Sequence, residues 1–568
     1  MMKNGADIVM ECLLEQGVDT VFGYPGGTIL NVYDAFYKYS HKIKHILTAH
    51  EQGAAHAADG YARSTGRTGV CFATSGPGAT NLVTGIATAY MDSIPLIAVT
   101  CNVATNWLGK DTFQEVDIVG VTMPITKHNF LVKKASDIAP TFRKAFRIAA
   151  SGRPGPVLID ITKDATAELA DYEKKIPEKV DNYKIDSEVC DFERAIKLIE
   201  EAERPLIYAG GGIISSAASR ELCKFQEMLD APVTLSLMGL GAFPASNEAF
   251  TGMIGMHGTK TTSLAIKNCD LLIAIGARFS DRVICDPGTF ARNAKVLHID
   301  VDSAEIDKNI KTDAYIIGDA KAVLDELNKG LSKQKHPEWM KEIAEWKAEY
   351  PVKYKGSEKF SPEDIIKTIK SAVDEDTYLV TDVGQHQIWA AQFFDVDKPR
   401  HFVTSGGLGT MGFGLGAAIG TQVANPDSTV INITGDGCFH MNLQELSTAA
   451  KEELPVIDVV MNNNVLGMVR QWQRLFYDNR FSNTTLNKRT NYDKVAEGLG
   501  ANAFTVSNVE ELKEALSEAL KSKDKPTVIN CLINQDHTVL PMVPGGQSIE
   551  EPILEIKEDG GELSLIHI

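Results

Sequence analysis

The sequence ITGDGCFHMNLQELSTAAKEELPVIDVVMNNNVLG, residues 433–467, decides the fold class of this chain. It begins with an apolar strand that ends at Gly435-Asp436-Gly437, continues with a helical segment, and closes with a second apolar strand before Asn463. Two strands joined by one helical crossover lie parallel, and their carboxyl ends meet at one edge of the sheet. The pattern therefore predicts an α/β fold in which Asp436 and Asn463 face a common crevice.

Asp436 and Asn463 form a candidate magnesium site. A carboxylate and an amide oxygen are hard donors, and Mg²⁺ keeps few protein ligands while it takes the rest from phosphate. Gly435 and Gly437 allow the backbone to come close to a diphosphate. A Gly-Asp-Gly turn after a strand is common in α/β proteins, so the paired asparagine one crossover later is what makes this segment specific.

The composition is that of a large globular enzyme. A chain of 568 residues exceeds one hydrophobic core and predicts about three to four domains. The net charge of −18 argues against a nucleic-acid-binding surface and against anionic membranes. Nine cysteines without a CxxC pair fit reduced thiols better than a disulfide framework. Because no signal peptide or membrane-spanning run is evident, we expect a cytoplasmic protein.

Three blocks of alternating strands and amphipathic helices divide the chain into predicted domains. The first covers residues 1–167, the second 188–332 and the third 361–545, with charged connecting segments between them. Such alternation predicts an α/β protein of three domains, each a mostly parallel sheet flanked by helices. Residues 546–568 are Gly-rich and acidic, and we assign them no fold; they could form a disordered tail or a lid.

The segment around Asp436 resembles the diphosphate and metal motif of the thiamine-diphosphate-dependent enzymes. Further stretches extend the resemblance over nearly the whole chain and sharpen it to the family of acetolactate synthase catalytic (large) subunits. These stretches are GYPGG, FATSGPGATNLVTGIATAYMDSIPL, DTFQEVDIVGVT, GRPGPVLIDI, SLMGLGAFP, GMIGMHGT, IGARFSDR, HIDVDSAEI and LGMVRQWQ. The resemblance implies a pyrimidine-binding domain, a central FAD-binding-type domain and a diphosphate-binding domain, in that order.

The resemblance also implies which residues surround thiamine diphosphate. Glu51, in the segment HEQGA, takes the place of the glutamate that hydrogen-bonds the aminopyrimidine and shifts its tautomer. From position alone, Glu51 is a helix-start glutamate that favours the helix dipole. The implied metal ligands are Asp436, Asn463 and the backbone carbonyl of Val465. The other implied contacts with the cofactor are Gln385, His386, Gly409, Met411, Gly435, Gly437, Cys438 and Met468.

A second group of residues is implied to bind FAD in an architectural role. The run Gly210-Gly211-Gly212 follows a strand, although it is not a full GxGxxG. Asp300 ends another strand, where an acidic side chain either binds a ribose hydroxyl or caps the strand. The implied FAD residues are Arg153, Gly211, Gly212, His257, Gly258, Arg278, Asp300 and Asp319.

The implied catalytic and substrate-binding residues are Glu51, Gly27, Gln114, Lys163, Arg278 and Trp472. Arg278 offers a planar fork to the carboxylate of a 2-keto acid; without the family it reads as part of a structural ion pair. Trp472 lies four residues after Met468, so the two share a helix face. That face is either core packing or a pocket that favours 2-ketobutyrate as acceptor.

The implied activity is the decarboxylation of pyruvate on thiamine diphosphate and transfer of the two-carbon unit to a second pyruvate or to 2-ketobutyrate. The products, 2-acetolactate and 2-aceto-2-hydroxybutyrate, lead to valine, leucine and isoleucine. The resemblance also implies a homodimer or dimer of dimers, with Glu51 and Asp436 of one site on different subunits, and a small regulatory subunit. Two alternatives are a pyruvate-oxidase-like flavoenzyme and a non-catalytic thiamine-fold protein.

Overall fold

The computed structural model describes residues 1–186, 191–354, 360–486 and 489–555. These residues form three parallel sheets of six strands each, one in each predicted block, which confirms the α/β class. The predicted domain limits stay predictions, and the one at residue 188 lies outside the described residues. Within the described ranges, no helix combines the length and the apolar character needed to cross a bilayer.

The first sheet carries the residues of the first block. Its elements are β1 (Met2–Asn4), α1 (Gly5–Glu15), β2 (Thr20–Gly23), α2 (Leu30–Tyr39), β3 (Lys44–Leu47), α3 (Glu51–Thr65), β4 (Gly69–Ala73), α4 (Pro77–Asn81), α5 (Val83–Asp92), β5 (Leu96–Asn102), α6 (Ile118–Thr122), β6 (His128–Val132), α7 (Ile138–Ala150), β7 (Pro156–Thr162), α8 (Lys163–Ala167) and β8 (Leu169–Asp171). The strand order is β3-β2-β4-β5-β7-β6, and β1 pairs antiparallel with β8 outside this sheet. Strands β4, β5 and β7 are buried along their whole length, as expected for a parallel sheet covered on both faces.

The second sheet lies in the central block. Its elements are α9 (Phe192–Glu201), β9 (Pro205–Ala209), α10 (Gly211–Ser215), α11 (Ser219–Leu229), β10 (Val233–Leu235), β11 (Phe250–Met253), α12 (Lys260–Asn268), β12 (Leu271–Ile275), α13 (Asp281–Ile284), β13 (Lys295–Asp300), β14 (Ala314–Ile317), α14 (Ala320–Gly330) and α15 (Pro337–Glu349). The strand order is β11-β10-β9-β12-β13-β14. Because all its strands are parallel, the glycines after β9 and the acid at the end of β13 come to the same edge.

The third sheet carries the segment that decides the fold. Its elements are α16 (Pro362–Ala372), β15 (Tyr378–Thr381), α17 (Gln385–Phe393), β16 (Phe402–Val403), α18 (Gly414–Ala424), β17 (Val430–Gly435), α19 (Asp436–Asn442), α20 (Glu445–Lys451), β18 (Ile457–Asn462), α21 (Gly467–Phe476), α22 (Tyr492–Gly498), β19 (Asn502–Val506), α23 (Val509–Lys521) and β20 (Thr527–Leu532). The strand order is β16-β15-β17-β18-β20-β19. Strand β17 pairs in parallel with β18, which confirms the predicted crossover.

The first and third domains pack together through α3 and α18, two helices built from small residues. A Cβ placed on Gly60 would collide with the Ala417 carbonyl, and one on Gly420 would collide with the Ala57 carbonyl. Glycine is therefore needed for the two helix backbones to come this close. This contact fixes α3, which begins at Glu51, against the domain that carries Asp436.

Part of the segment after residue 545 packs against the central domain. Ile549 is buried in the same apolar cluster as Phe279, and the Glu550 carboxylate pairs with Arg292 at 2.9 Å. The sequence pattern predicted no fold here because it is Gly-rich and acidic, but residues 546–555 are held by buried Ile549, by ion pairs of Glu550 with Arg292 and Lys267, and by backbone hydrogen bonds. Residues 556–568 lie outside the described residues.

Candidate active site

The carboxyl ends of β15, β17 and β18 form the crevice predicted from the sequence. These strands are neighbours in the third sheet, so the residues that follow them lie at one edge. Asp436 is buried, and one of its oxygens accepts a hydrogen bond from the Gly437 amide at 2.9 Å. Asn463 Oδ1 accepts one from the Val465 amide at 3.0 Å. The local backbone thus orients the carboxylate and the amide at adjacent strand ends.

Three polar atoms at this edge are buried without a hydrogen-bond partner among the described residues: Asp436 Oδ2, Gln385 Oε1 and His386 Nε2. Leaving such atoms unsatisfied is costly, so a ligand that satisfies them is favoured. Burial raises the pKa of Asp436 to about 7, and it lowers the pKa of His386 to about 3, which keeps that ring neutral. A cation beside Asp436 would return its carboxyl to the ionised form.

Glycines give the side chains of the crevice their space. A Cβ on Gly435 would lie 2.9 Å from His386 Nδ1, and one on Gly467 would collide with Gln385 Oε1. Gly435, predicted to allow the approach of a diphosphate, also leaves room for the neighbouring His386 ring. Next to it, Gly437 lies against Met411, whose Cε would be 3.5 Å from an added Cβ.

The Gly-rich loop, residues 405–412, borders this crevice between β16 and α18. Asp382, directly after β15, accepts hydrogen bonds from the amides of Gly412 at 2.8 Å and Gly414 at 3.0 Å. Gly409 has a φ of 68°, a left-handed conformation that favours glycine. Asp382 was not singled out from the sequence, although an acid directly after a strand was the signal that had identified Asp436.

Cys438 lies in α19 beneath the Gly-rich loop. Its thiol donates to the Val383 carbonyl at 3.1 Å, and burial raises its pKa well above the usual range. The side chain is therefore a neutral packing group with one weak hydrogen bond. Met468, in α21, is half-buried against the core that the second and third sheets share.

The residues predicted in the first domain gather at the carboxyl edge of the first sheet. Gly27 follows β2, Gln114 lies in the segment after β5, and Lys163 begins α8 directly after β7. Gly27 and Lys163 are exposed, whereas Gln114 is half-buried with its backbone against Gly76. The first sheet therefore brings these three residues to the edge where Glu51 also lies.

Glu51 is the first residue of α3 and is buried. The Asn81 amide donates to its Oε2 at 2.9 Å. The turn before it is held by Glu445 of α20, whose carboxylate accepts from the amides of Ala49 at 3.1 Å and His50 at 3.0 Å. Neither Asn81 nor Glu445 was identified from the sequence, because both act through contacts that no local pattern reveals.

A cavity of about 640 Å³ lies between the first and central domains. Its volume is in the range of cofactor sites. The predicted FAD residues on its wall are Arg153, Gly211, Gly212, Arg278, Asp300 and Asp319. His257 and Gly258 lie elsewhere: His257 is buried, with Nδ1 3.2 Å from the Pro541 carbonyl, and Gly258 packs in the turn beside it.

Three of the predicted polar side chains on this cavity wall already have protein partners. Arg153 pairs with Glu305 at 2.7 Å, and Asp319 caps α14 by accepting from the amides of residues 321 and 322. Asp300, at the end of β13, accepts from the Asp302 amide at 2.9 Å, and burial raises its pKa to about 6. The glycines after β9 leave backbone exposed for close contact with a ligand.

Comparison with known proteins matches all three domains. The thiamine pyrophosphate enzyme family matches with its N-terminal TPP binding domain at residues 3–121, its central domain at 192–327 and its C-terminal TPP binding domain at 382–531. A probable acetolactate synthase large subunit of Methanocaldococcus jannaschii is 48% identical, over 97% of this chain and 95% of its own. This chain belongs to the acetolactate synthase large-subunit family.

Other large subunits of the family are similar to this chain over most of their length. The acetolactate synthase large subunit of Corynebacterium glutamicum is 47% identical over 96% of this chain and 89% of its own. The isozyme 3 large subunit of Escherichia coli is 43% identical over 97% of this chain and 98% of its own. These matches confirm the predicted family and a thiamine-dependent enzyme, and thiamine diphosphate as its cofactor. They do not favour the two alternative functions.

In this acetolactate synthase family member, the two predicted substrate residues lie close to the same apolar cluster. Arg278 follows β12 on the cavity wall, between Ala277 and Phe279. Trp472 of α21 packs against the cluster that contains those two neighbours, and its ring centroid is 5.4 Å from that of Phe476. Part of the Trp472 surface is therefore packed, as one of the two sequence interpretations stated, and the rest is accessible.

Proposed function

We propose that this chain joins two 2-keto acids with loss of CO₂: pyruvate with a second pyruvate, or pyruvate with 2-ketobutyrate. The products are 2-acetolactate and 2-aceto-2-hydroxybutyrate, precursors of valine, leucine and isoleucine. This proposal rests on the 43% to 48% identity to acetolactate synthase large subunits over 97% of this chain, together with the match of thiamine-binding domains at both ends of the chain.

Mg²⁺ is proposed as the ion that holds the diphosphate. The ligands would be Asp436, Asn463 and the carbonyl of Val465, with phosphate oxygens and water completing the shell. The fit rests on the unpartnered Asp436 Oδ2 and on the burial that raises the pKa of this carboxyl to about 7. A divalent cation would supply the positive charge that stabilises the ionised Asp436 carboxylate in this buried position. Oxygen donors such as these are the ligands that Mg²⁺ prefers.

Thiamine diphosphate, when bound, supplies the nucleophilic carbon and the electron sink for decarboxylation. In our proposal the neutral His386 ring would donate from its unpartnered Nε2 to a diphosphate oxygen, and Gln385 would lie beside the diphosphate, with its unpartnered Oε1 as an acceptor for water or the cation. Met411 and the Gly409 carbonyl orient the pyrimidine ring. Glu51 holds the proton that shifts the pyrimidine tautomer, and the Asn81 amide keeps its carboxylate in place.

FAD is proposed as an architectural cofactor in the 640 Å³ cavity. Its diphosphate would approach the backbone of Gly211 and Gly212, and a ribose hydroxyl would bind Asp300. Arg153 and Asp319 would shape the wall, since both already have protein partners. Because Arg153 and Asp319 already have protein partners, shape and backbone contacts would contribute most to holding the flavin.

The acceptor 2-keto acid is proposed to bind near Arg278. The guanidinium would bind its carboxylate in a bidentate manner. The accessible surface of Trp472 would contact the extra methyl group of 2-ketobutyrate, and Gln114, Lys163 and Gly27 would line the approach. Each of the three lies at the carboxyl edge of the first sheet.

A homodimer or dimer of dimers is proposed as the active form, with Glu51 of one chain facing the crevice of a second chain. A small regulatory subunit is a proposed partner, which the term large subunit in the relatives' names supports. Symmetric oligomers of this kind bury two identical sites at one interface.

The test is incubation of the purified chain with pyruvate, thiamine diphosphate, Mg²⁺ and FAD, followed by acid conversion of acetolactate to acetoin. We expect acetoin only when thiamine diphosphate and Mg²⁺ are both present. Oxygen consumption that matches pyruvate loss, with flavin bleaching at the same rate, would instead indicate a pyruvate-oxidase-like enzyme. Stoichiometric cofactor binding without any turnover would indicate a non-catalytic protein.

A further inference from the structure

A buried carboxylate of the first domain holds the Gly-rich loop of the third. Asp92, the last residue of α5, accepts hydrogen bonds from the Gly407 amide at 2.6 Å and from the Gly406 amide at 3.1 Å. Its side chain is fully buried. The start of the loop that carries Gly409 and Met411 is therefore fixed by a residue more than three hundred positions away.

Arg63 of α3 fixes this carboxylate in turn. Its Nη2 donates to Asp92 Oδ2 at 2.9 Å, its Nε pairs with Asp59, and its Nη1 donates to the Thr404 carbonyl at 2.7 Å. The guanidinium also lies 5.1 Å from the centroid of the Phe413 ring. Charged groups buried in such a network have few alternative arrangements, because each loses a partner if it moves. The network joins the first and third domains.

The same residues form part of the cavity wall. Arg63 and Asp92 both line the proposed flavin cavity, and so does Met238, which is in contact with Gly406. Next to Asp92, the Ser93 hydroxyl accepts a hydrogen bond from Arg153 Nε at 2.8 Å. Asp92 therefore lies between two proposed sites: the residue forms part of the cavity wall, and its buried carboxylate binds the loop that borders the thiamine crevice.

We propose that Asp92 is a positioning residue that couples the two cofactor sites, so that FAD and thiamine diphosphate each strengthen the binding of the other. The inference rests on the proposed function of the cavity and of the loop. A glycine-rich loop loses much backbone entropy when it is ordered. A ligand that fills the cavity holds Asp92 and Met238 and so orders the loop in advance. Coupling of binding free energies is reciprocal.

The test is the dissociation constant of thiamine diphosphate, with saturating Mg²⁺, for flavin-free and flavin-loaded protein. We expect FAD to tighten binding by about tenfold in the unmodified chain, a typical coupling. The amides of Gly407 and Gly406 each bind a different oxygen of Asp92, and in Asp92→Asn one of these oxygens becomes an NH2 donor that cannot bind a peptide N–H. The ratio of the thiamine diphosphate dissociation constants without and with FAD should therefore fall to about one. Thiamine diphosphate should likewise tighten FAD binding only when Asp92 is present.

Asp382→Asn is the matched control. Asp382 also holds the loop, through the Gly412 amide at its end and the Gly414 amide at the start of α18, but it belongs to the third domain and is not among the residues that line the cavity. This variant should weaken thiamine diphosphate binding while the roughly tenfold effect of FAD persists. An Asp92→Asn protein that binds both cofactors and keeps the full coupling would overturn the inference and leave the proposed function intact.

Hydrogen exchange on the unmodified chain provides a second test that needs no variant. FAD should slow exchange of the amides of residues 406 and 407 before any thiamine diphosphate is added. Exchange that is unchanged when FAD is bound would overturn the coupling. Failure of FAD to bind the unmodified chain at all would overturn both the coupling and the proposed role of the cavity.

Discussion

The crevice of the third sheet and the cavity between the first and central domains treat their polar groups differently. In the crevice, Asp436, Gln385 and His386 each keep a buried atom without a partner among the described residues. On the cavity wall, Arg153 and Asp319 are already satisfied by the protein. Buried polar atoms without a hydrogen-bond partner favour a ligand that supplies one. Where the polar side chains already have partners, a ligand is held by shape complementarity and by backbone contacts. The difference is consistent with the proposed roles of a reactive cofactor in the crevice and an architectural one in the cavity.

The largest expected effect concerns the residue that would complete the crevice from a second chain. Glu51→Gln should keep the fold and thiamine diphosphate binding but reduce acetolactate formation by about 10²- to 10⁴-fold, because the amide holds no transferable proton. The acetoin assay measures the rate and calorimetry the binding. Asn81→Ala, which only frees the Glu51 carboxylate, serves as a control with a smaller expected loss. Near-normal turnover in Glu51→Gln would remove Glu51 from the proposed role.

Removing the Asp436 carboxylate should weaken cofactor binding in the crevice but not in the cavity. Asp436→Ala is expected to weaken Mg²⁺-dependent thiamine diphosphate binding by at least about 100-fold, since a direct ligand matters more than the groups that support it. Flavin absorbance retained after gel filtration in the absence of thiamine diphosphate should be unchanged. Calorimetry that shows unaltered thiamine diphosphate binding would contradict the assignment of the metal site.

The pH dependence should also separate the two regions. The pKa of Asp436 is raised to about 7 without a cation, so Mg²⁺ must displace a proton below that pH. The apparent affinity for Mg²⁺ with thiamine diphosphate should therefore fall as pH falls from 7, by up to about tenfold per unit. Asp300 has a pKa of about 6, so flavin affinity should change less between pH 7 and 6. An apparent affinity for Mg²⁺ that does not change between pH 7 and 6 would contradict a buried Asp436 carboxyl whose Oδ2 lacks a partner among the described residues.

A smaller effect is expected at the mouth of the site. Trp472→Leu should lower the preference for 2-ketobutyrate over pyruvate as acceptor by about tenfold, because one methylene contact in an apolar pocket has about this effect on specificity. A competition assay with both acceptors gives the product ratio directly. Phe476→Leu, which changes the packing neighbour of Trp472, is the matched control and should leave the ratio near its original value. An unchanged ratio in Trp472→Leu would mean that the ring serves packing alone.

The smallest effect should appear on the cavity wall. Asp319→Ala removes the cap of α14 and should cost about 1 kcal/mol of folding stability, with flavin affinity changed less than in Asp300→Asn. Denaturant unfolding and flavin titration measure the two quantities. A variant that keeps full stability but loses FAD would show that Asp319 binds the ligand directly, and the contrast between the regions would weaken.

Local sequence patterns were sufficient for the sheets and for the crevice, because these depend on neighbours in the chain. Strands β17 and β18 lie next to each other through one short crossover, so Asp436 and Asn463 could be placed from spacing alone. The contacts that fix Asp92 and Glu445 join segments hundreds of residues apart, and periodicity carries no information about such pairs.

The wall of the cavity, too, could be predicted only in part from the sequence. The alignment of whole segments predicted its wall, and the structure brings Gly211, Asp300 and Asp319 together there. Sequence similarity could not indicate that Asp319 caps α14 or that His257 contacts the Pro541 carbonyl instead of the cavity, since both contacts depend on side-chain geometry. Burial of Ile549 within residues 546–555 was missed for the same reason.

The central claim is that a site is completed only when Glu51 of one chain meets the crevice of another. Its most direct test is a purified mixed dimer in which one chain carries Glu51→Gln and the other carries Asp436→Ala. If the sites lie between subunits, one site receives both changes and the other receives neither, so about half of the unmodified activity should return. A mixed dimer no more active than either parent would contradict the claim, because each site would then hold one defect.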